Sequence, residues 1–168
     1  MKNNVAFIIQ ELSRITGHPP VKKTLQKAVY LIEKKGVDLG FSYMLHFYGP
    51  YCSELDHETS ALSADGIISF DYGQYGHKMH ISSSTESITS EGLGSEQINT
   101  IESVIFRYKN ATASQLELLT TAIYAYEHIG AKTRATVGEN VKKIKGEKYN
   151  DFEIAWALNE FPFFGIQI

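Results

Sequence analysis

Twelve residues, Leu45-His46-Phe47-Tyr48-Gly49-Pro50-Tyr51-Cys52-Ser53-Glu54-Leu55-Asp56, constrain the fold of this chain more than any others. Pro50 fixes its own φ and keeps Gly49 out of the helical region, so Tyr48 to Tyr51 read as a turn. Ser53, with Asp56 three residues on, reads as a capping box that opens a helix directly after it. The aromatic-rich run Phe41 to Tyr48 alternates loosely and reads as a short strand leading into the turn.

Helical periodicity brackets this segment. Val5, Ile8, Ile9, Leu12 and Ile15 mark a helix over 3–16, stopped by Gly17-His18-Pro19-Pro20. Val21, Leu25, Ala28, Val29 and Ile32 mark a second helix, over 21–35, whose opposite face collects Lys23, Lys27, Tyr30 and Lys34. After the turn, a helix over 53–64 ends at Asp65-Gly66. Ile67 to Tyr72 and His77 to Ser82 then flank Gly73-Gln74-Tyr75-Gly76 as a hairpin. Residues 82–95 are rich in Ser, Thr and Gly and read as a linking loop.

The remainder reads as helices. Ser95 caps the first, Ser114 with Glu117 forms a capping box for the second, and Gly130 stops that one. A shorter helix carries Val137, Val141 and Ile144, and Asp151 opens a last one that Pro162 ends. The expected fold is therefore α+β and mostly helical. A winged-helix-like N-terminal half with a small antiparallel β-sheet (1–88) precedes a helical C-terminal half (95–168), in a single domain over 1–168.

The 168 residues bury enough surface to fold without a disulfide or a metal. The lone Cys52 excludes an intrachain disulfide and a cysteine-built zinc cluster. No apolar run is long enough to span a membrane, and the N-terminus lacks the features of a signal peptide, so a cytoplasmic protein is expected. The net charge of −3 is unevenly spread: residues 1–35 carry +5, residues 36–100 carry −8, and the rest balance. The basic and acidic segments read first as surfaces that attract each other.

Two anchors resemble the YwgA-like family of small uncharacterised prokaryotic proteins. One is Lys22-Lys23-Thr24-Leu25-Gln26-Lys27-Ala28-Val29-Tyr30-Leu31-Ile32-Glu33-Lys34. The other is His46-Phe47-Tyr48-Gly49-Pro50-Tyr51-Cys52-Ser53-Glu54-Leu55. Leu116-Glu117-Leu118-Leu119 and Phe152 to Leu158 look like that family's closing helices. More distantly, the Leu-Gln-Lys helix followed by Tyr-Gly-Pro is similar to the Panacea (SocA-like) antitoxin domain. That resemblance implies a winged-helix-like regulatory or protein-binding role, with a toxin, a protease or a second copy as partner, and no reaction.

The residues themselves point the same way. No metalloprotease motif, nucleophile elbow or phosphate-cradling loop is present, so neither catalytic nor metal nor cofactor residues are expected. Cys52 reads as a buried structural thiol. The partner-binding expectation falls on Lys23, Lys27, Tyr30 and Lys34, and on Tyr48 and Tyr51, which flank the turn; Phe41 and Phe47 are expected in the core. The apolar Phe161-Pro162-Phe163-Phe164 is expected to tuck back over its own core or, if exposed, to serve a homodimer or partner contact. The alternative is a DNA-binding winged-helix regulator reading through 21–34 with Lys22, Lys23, Gln26, Lys27 and Lys78. Against it, the helix over 53–64 offers Glu54, Asp56 and Glu58, with no Lys or Arg.

Overall fold

The computed structural model describes residues 2–74, 76–83 and 88–168, Lys2 by its backbone alone. The chain divides into two compact units, Met1–Tyr43 with Cys52–Asn110, and Met44–Tyr51 with Ala111–Ile168. The fold class is α+β and mostly helical, with two small antiparallel sheets. No helix among the described residues is long and apolar enough to cross a membrane.

The first unit holds α1 (Lys2–Thr16), α2 (Lys22–Lys34), α3 (Ser53–Ala64), the hairpin β3 (Ile68–Gly73) and β4 (Gly76–Ile81), and α4 (Ser95–Tyr108). Strands β1 (Met44–His46) and β2 (Gly49–Tyr51) belong to the second unit. The apolar stripes read from the sequence form the core here: Ile8, Ile9, Leu25, Ile32, Leu55 and Ile101 are fully buried. Between α1 and α2 a single bridge, Val21 to Lys78, and a bond from the Met79 amide to Pro20 O (2.9 Å) add the interhelical segment to the edge of β4. In the hairpin, Phe70 faces Met79 and Tyr72 faces His77, the latter rings 4.5 Å apart. Gly73 pairs with Gly76, and Tyr75 of the expected turn lies outside the described residues.

Of the expected linker, residues 84–87 lie outside the described residues. Its later part is strapped to α1 by two side-chain amides that act as peptide groups. Gln10 exchanges bonds with the Ile88 backbone (3.1 and 3.0 Å) and Asn4 with that of Glu91 (3.1 and 2.8 Å).

The second unit holds β1 (Met44–His46), β2 (Gly49–Tyr51), α5 (Ala113–His128), α6 (Arg134–Lys145) and α7 (Asp151–Asn159). Helix α5 packs against α6, α7 and β2. Its core contains Leu119, Ile123, Val141 and Leu158. Phe161 tucks into this core, its ring 5.7 Å from that of Tyr126, while Pro162 stays exposed.

Several local expectations are corrected. Gly49-Pro50 is not the turn: Phe47-Tyr48 turns the chain, and Gly49 and Pro50 pair with His46 and Leu45 in β2. No non-glycine residue among the described residues has a positive φ, so a mirror-image two-residue turn is not in use at Phe47-Tyr48. Gly49, at φ 87°, instead supplies the left-handed residue that restores strand pairing after the turn. The strand expected over 41–48 shrinks to Met44–His46. Residues 39–41 are held differently: Glu33 Oε1 accepts the amides of Leu39 (3.2 Å) and Phe41 (3.0 Å).

The caps also move upstream. Cys52, not Ser53, caps α3, its Sγ accepting from the Leu55 amide (3.4 Å). Gly94 rather than Ser95 precedes α4, its amide bound by Gln97 Oε1 (2.9 Å). Thr112 and Gln115 form the capping box of α5, and Asn150 and Glu153 that of α7. For α3, α5 and α7 the side chain that accepts the third backbone amide sits one or two residues before the one expected, whereas Gly94 has no side chain and α4 is capped from Gln97 alone.

Candidate functional site

In the second unit the hairpin β1–β2 lifts its turn into solvent. Phe47 is 79% exposed, Met44 74% and Tyr48 44%. The Phe47 and Tyr48 rings meet edge to face at 5.1 Å, a favoured aromatic geometry that fixes each against the other. The turn is also held from within. Lys145 Nζ donates to Phe47 O (2.8 Å) and lies 2.8 Å from Glu117 Oε1; Lys148 Nζ donates to the same oxygen at 2.8 Å. The side chains of Glu117 and Lys145 are 9% and 5% exposed, so this ion pair lies inside the unit.

Local sequence explains the arrangement. Glu117 lies beyond the first turn of α5, and Lys145 ends α6, where a cation suits the helix dipole. Gly146 then turns the chain at φ 60° so that Lys148 returns to the same carboxylate. Burial pushes the Glu117 carboxyl up, but the hydrogen bonds and charges of Lys145 and Lys148 outweigh it, leaving the group below its ordinary value. The bond to Glu117 in turn raises the Lys148 ammonium.

Next to this cluster α5 and α7 border a cleft of about 380 Å³. Leu118, Tyr149, Phe152 and Trp156 supply its apolar lining. The Tyr149 hydroxyl donates to Ser114 O (3.1 Å), which fixes that ring, and Lys148 Nζ sits 5.4 Å from its centroid.

The expected partner-binding residues separate. Tyr48 and Tyr51 lie on the hairpin and are partly exposed. The α2 stripe is not one solvated face: Tyr30 is 1% exposed and packs edge-on against Tyr43 at 4.9 Å, and Lys27 is buried. Lys34 Nζ lies 5.1 Å from the Tyr30 ring, and Lys23 is exposed. Phe47, expected in the core, is the most exposed aromatic of the hairpin; Phe41 is half-buried.

The expected nucleic-acid set also splits. Lys22 Nζ pairs with Asp56 Oδ1 on α3 (2.8 Å) and lies 5.3 Å from the Phe70 ring. Gln26 is buried, and its amide exchanges two bonds with the Cys52 backbone, Nε2 to O at 2.8 Å and N to Oε1 at 2.9 Å. Only Lys23 and Lys78 of that set are exposed. Cys52 is buried, and no group of three or more His, Cys, Asp or Glu side chains among the described residues is placed to hold a metal.

Sequence reasoning overlooked Met44, Glu117, Lys145, Phe152 and Trp156 as site residues. For Phe152 and Trp156 a signal existed: they stand four apart, on one helix face, while Ile154, Ala157 and Leu158 fill the other. Glu117 and Lys145 gave none, being 28 positions apart.

Compared with known proteins, the chain matches no family model, and no curated protein shows significant similarity to it.

Proposed function

We infer that this chain is a non-enzymatic protein-interaction module, antitoxin-like or adaptor-like as the Panacea and YwgA-like resemblances imply, acting in the cytoplasm. The observation that carries the reading is the exposed Phe47-Tyr48 turn, whose backbone is fixed by Lys145, with the equally exposed Met44 at the open end of the same hairpin. Exposed aromatics on a rigid support have the composition of interface anchors. They also lose little conformational entropy when a partner covers them.

A DNA-binding regulator is the second reading. The first unit favours it through its order of helix, single bridge, helix, helix and hairpin, which supports a winged-helix-like architecture. Its charges oppose it. The first turn of α3 carries Glu54 and Asp56, and Lys22 is already engaged by Asp56. Two exposed lysines neutralise too few phosphates for firm binding at physiological salt.

One experiment separates the readings: capture on the tagged chain from its own host at about 100 mM salt, with and without nuclease. The expected result is a stoichiometric protein partner that survives nuclease and is lost with Phe47→Ser/Tyr48→Ser, a variant whose own stability stays within about 0.5 kcal/mol of the parent. Nuclease-sensitive material that vanishes with Lys23→Glu/Lys78→Glu and ignores the hairpin variant would move the conclusion to DNA. A duplex titration of the purified chain is expected to show no saturable binding at that salt.

A further inference from the structure

The cleft between α5 and α7 is not used by the hairpin reading, and its chemistry points to a particular occupant. We propose that it binds a proline-rich, extended segment of another protein, with a basic residue beside the prolines.

The apolar part comes first. Phe152 is 89% exposed although it sits on the cleft face of α7 with Trp156, and both stand against the buried Tyr149 and Leu118. A cleft of about 380 Å³ is at the small end of ligand-sized pockets and suits a few residues rather than a helix. Flat aromatic walls are the surface on which the pyrrolidine rings of a polyproline II segment dock.

The polar groups of the lining then select the class. The Trp156 indole N–H and the Gln115 side-chain amide N–H groups have no hydrogen-bond partner among the described residues; Gln115 spends only its oxygen, on the Thr112 amide (2.9 Å). The lining therefore offers donors and asks for acceptors. A partner helix satisfies its own carbonyls internally, and a partner strand requires a strand edge, whereas helices α5 and α7 border this cleft. A polyproline II segment has no internal hydrogen bonds, so its carbonyls are all available, and its prolines bring no N–H to compete. At the rim, Glu153 uses Oε2 to cap α7 through the Asn150 amide (2.8 Å), leaving Oε1 without a partner among the described residues. That free carboxylate oxygen matches a flanking Arg or Lys.

Trp156 is the only tryptophan of the chain, so its emission reports on the cleft directly. The full chain is titrated with a synthetic oligoproline peptide ending in arginine. A Gly/Ser peptide of equal length and charge and tetramethylammonium serve as comparison probes. The expected result is a saturable blue shift with the proline peptide, at least about tenfold stronger binding than with the Gly/Ser peptide, and a similar loss with Phe152→Ala. Glu153→Gln, which keeps a capping-box residue at its position, is expected to weaken the arginine-ended peptide and leave an uncharged oligoproline unchanged. Phe47→Ser/Tyr48→Ser is expected to retain the shift, so failure of the hairpin reading leaves this one standing, and the reverse. No saturable change up to about 1 mM peptide overturns the proposal. Equal responses to the proline and Gly/Ser peptides overturn it as well, and a response to tetramethylammonium alone reassigns the cleft to organic cations.

Discussion

Gln26→Ala is expected to cost the first unit about 2–5 kcal/mol, seen as a drop of roughly 5–15 °C in its calorimetric transition. The magnitude follows from what the side chain replaces. Gln26 is 5% exposed, and its amide closes a two-bond ring with the backbone N–H and C=O of Cys52, itself 1% exposed. Alanine removes both partners and puts no water in their place, so two buried peptide groups are left unpaired, each worth about 1–3 kcal/mol. The position matters because Cys52 is also the cap of α3: its Sγ receives the Leu55 amide, and its backbone must stay extended at φ −121°, ψ 116° for it to do so. Gln26→Glu isolates the mechanism. A carboxylate can accept from the Cys52 amide but faces its carbonyl with no proton to give. Protonation restores the donor, so the folded state raises the pKa of this introduced carboxyl. Its stability deficit is therefore present at neutral pH and shrinks as pH falls, while that of Gln26→Ala does not. A cost under about 1 kcal/mol for Gln26→Ala would show that the two bonds are not what fixes the start of α3.

The same residue shows where the sequence was legible and where it was not. Helical periodicity located α1 and α2 to within a residue or two, because each stripe of apolar side chains had to face a core, and the turn and cap signals bracketed α3. Glycines marked the stop of α3 and the hairpin of β3 and β4 for the same kind of local reason. Gln26 carried no such mark. Its position beside Lys27 on an amphipathic helix reads as a DNA-reading glutamine, and only the fold brings a backbone from 26 positions away to meet it. Lys27 and Tyr30 carry no such mark either: they lie opposite the apolar stripe of α2, yet the fold buries both. Around the turn the crowding of aromatics did not tell which of them are exposed. Tyr48 and Tyr51 are both partly exposed, yet the turn is formed by Phe47-Tyr48, and this carries Phe47 outward. Pro50 misled because proline is tolerated in a short edge strand as well as in a turn. In the helical region Ser114-x-x-Glu117 and Thr112-x-x-Gln115 both fit a capping box. The second does the capping, which frees Glu117 for the lysines.

Glu117→Gln is expected to cost the second unit about 3 kcal/mol and to weaken partner capture without altering any exposed residue. Most of that cost belongs to Lys145. Its side chain is nearly fully buried, and removing the carboxylate leaves an ammonium there with Phe47 O as its remaining hydrogen-bond partner among the described residues. Lys148 is 44% exposed, so water screens its loss and its share is small. The pH dependence has a definite sign. The folded state holds the Glu117 carboxyl below its ordinary value, so its contribution is complete above the normal carboxylate range and is lost as pH falls through the lowered value. Wild type and Glu117→Gln should therefore converge in stability on acidification and diverge most at neutral pH. The double variant Glu117→Leu/Lys145→Met should be markedly milder than Glu117→Gln, because it removes the buried charges together and leaves neither alone. It nevertheless takes away the donor to Phe47 O. Partner capture by the double variant thus distinguishes two roles for the cluster. If capture falls while stability is recovered, Lys145 positions the hairpin turn for binding; if capture returns with stability, the cluster only holds the helices of the second unit together.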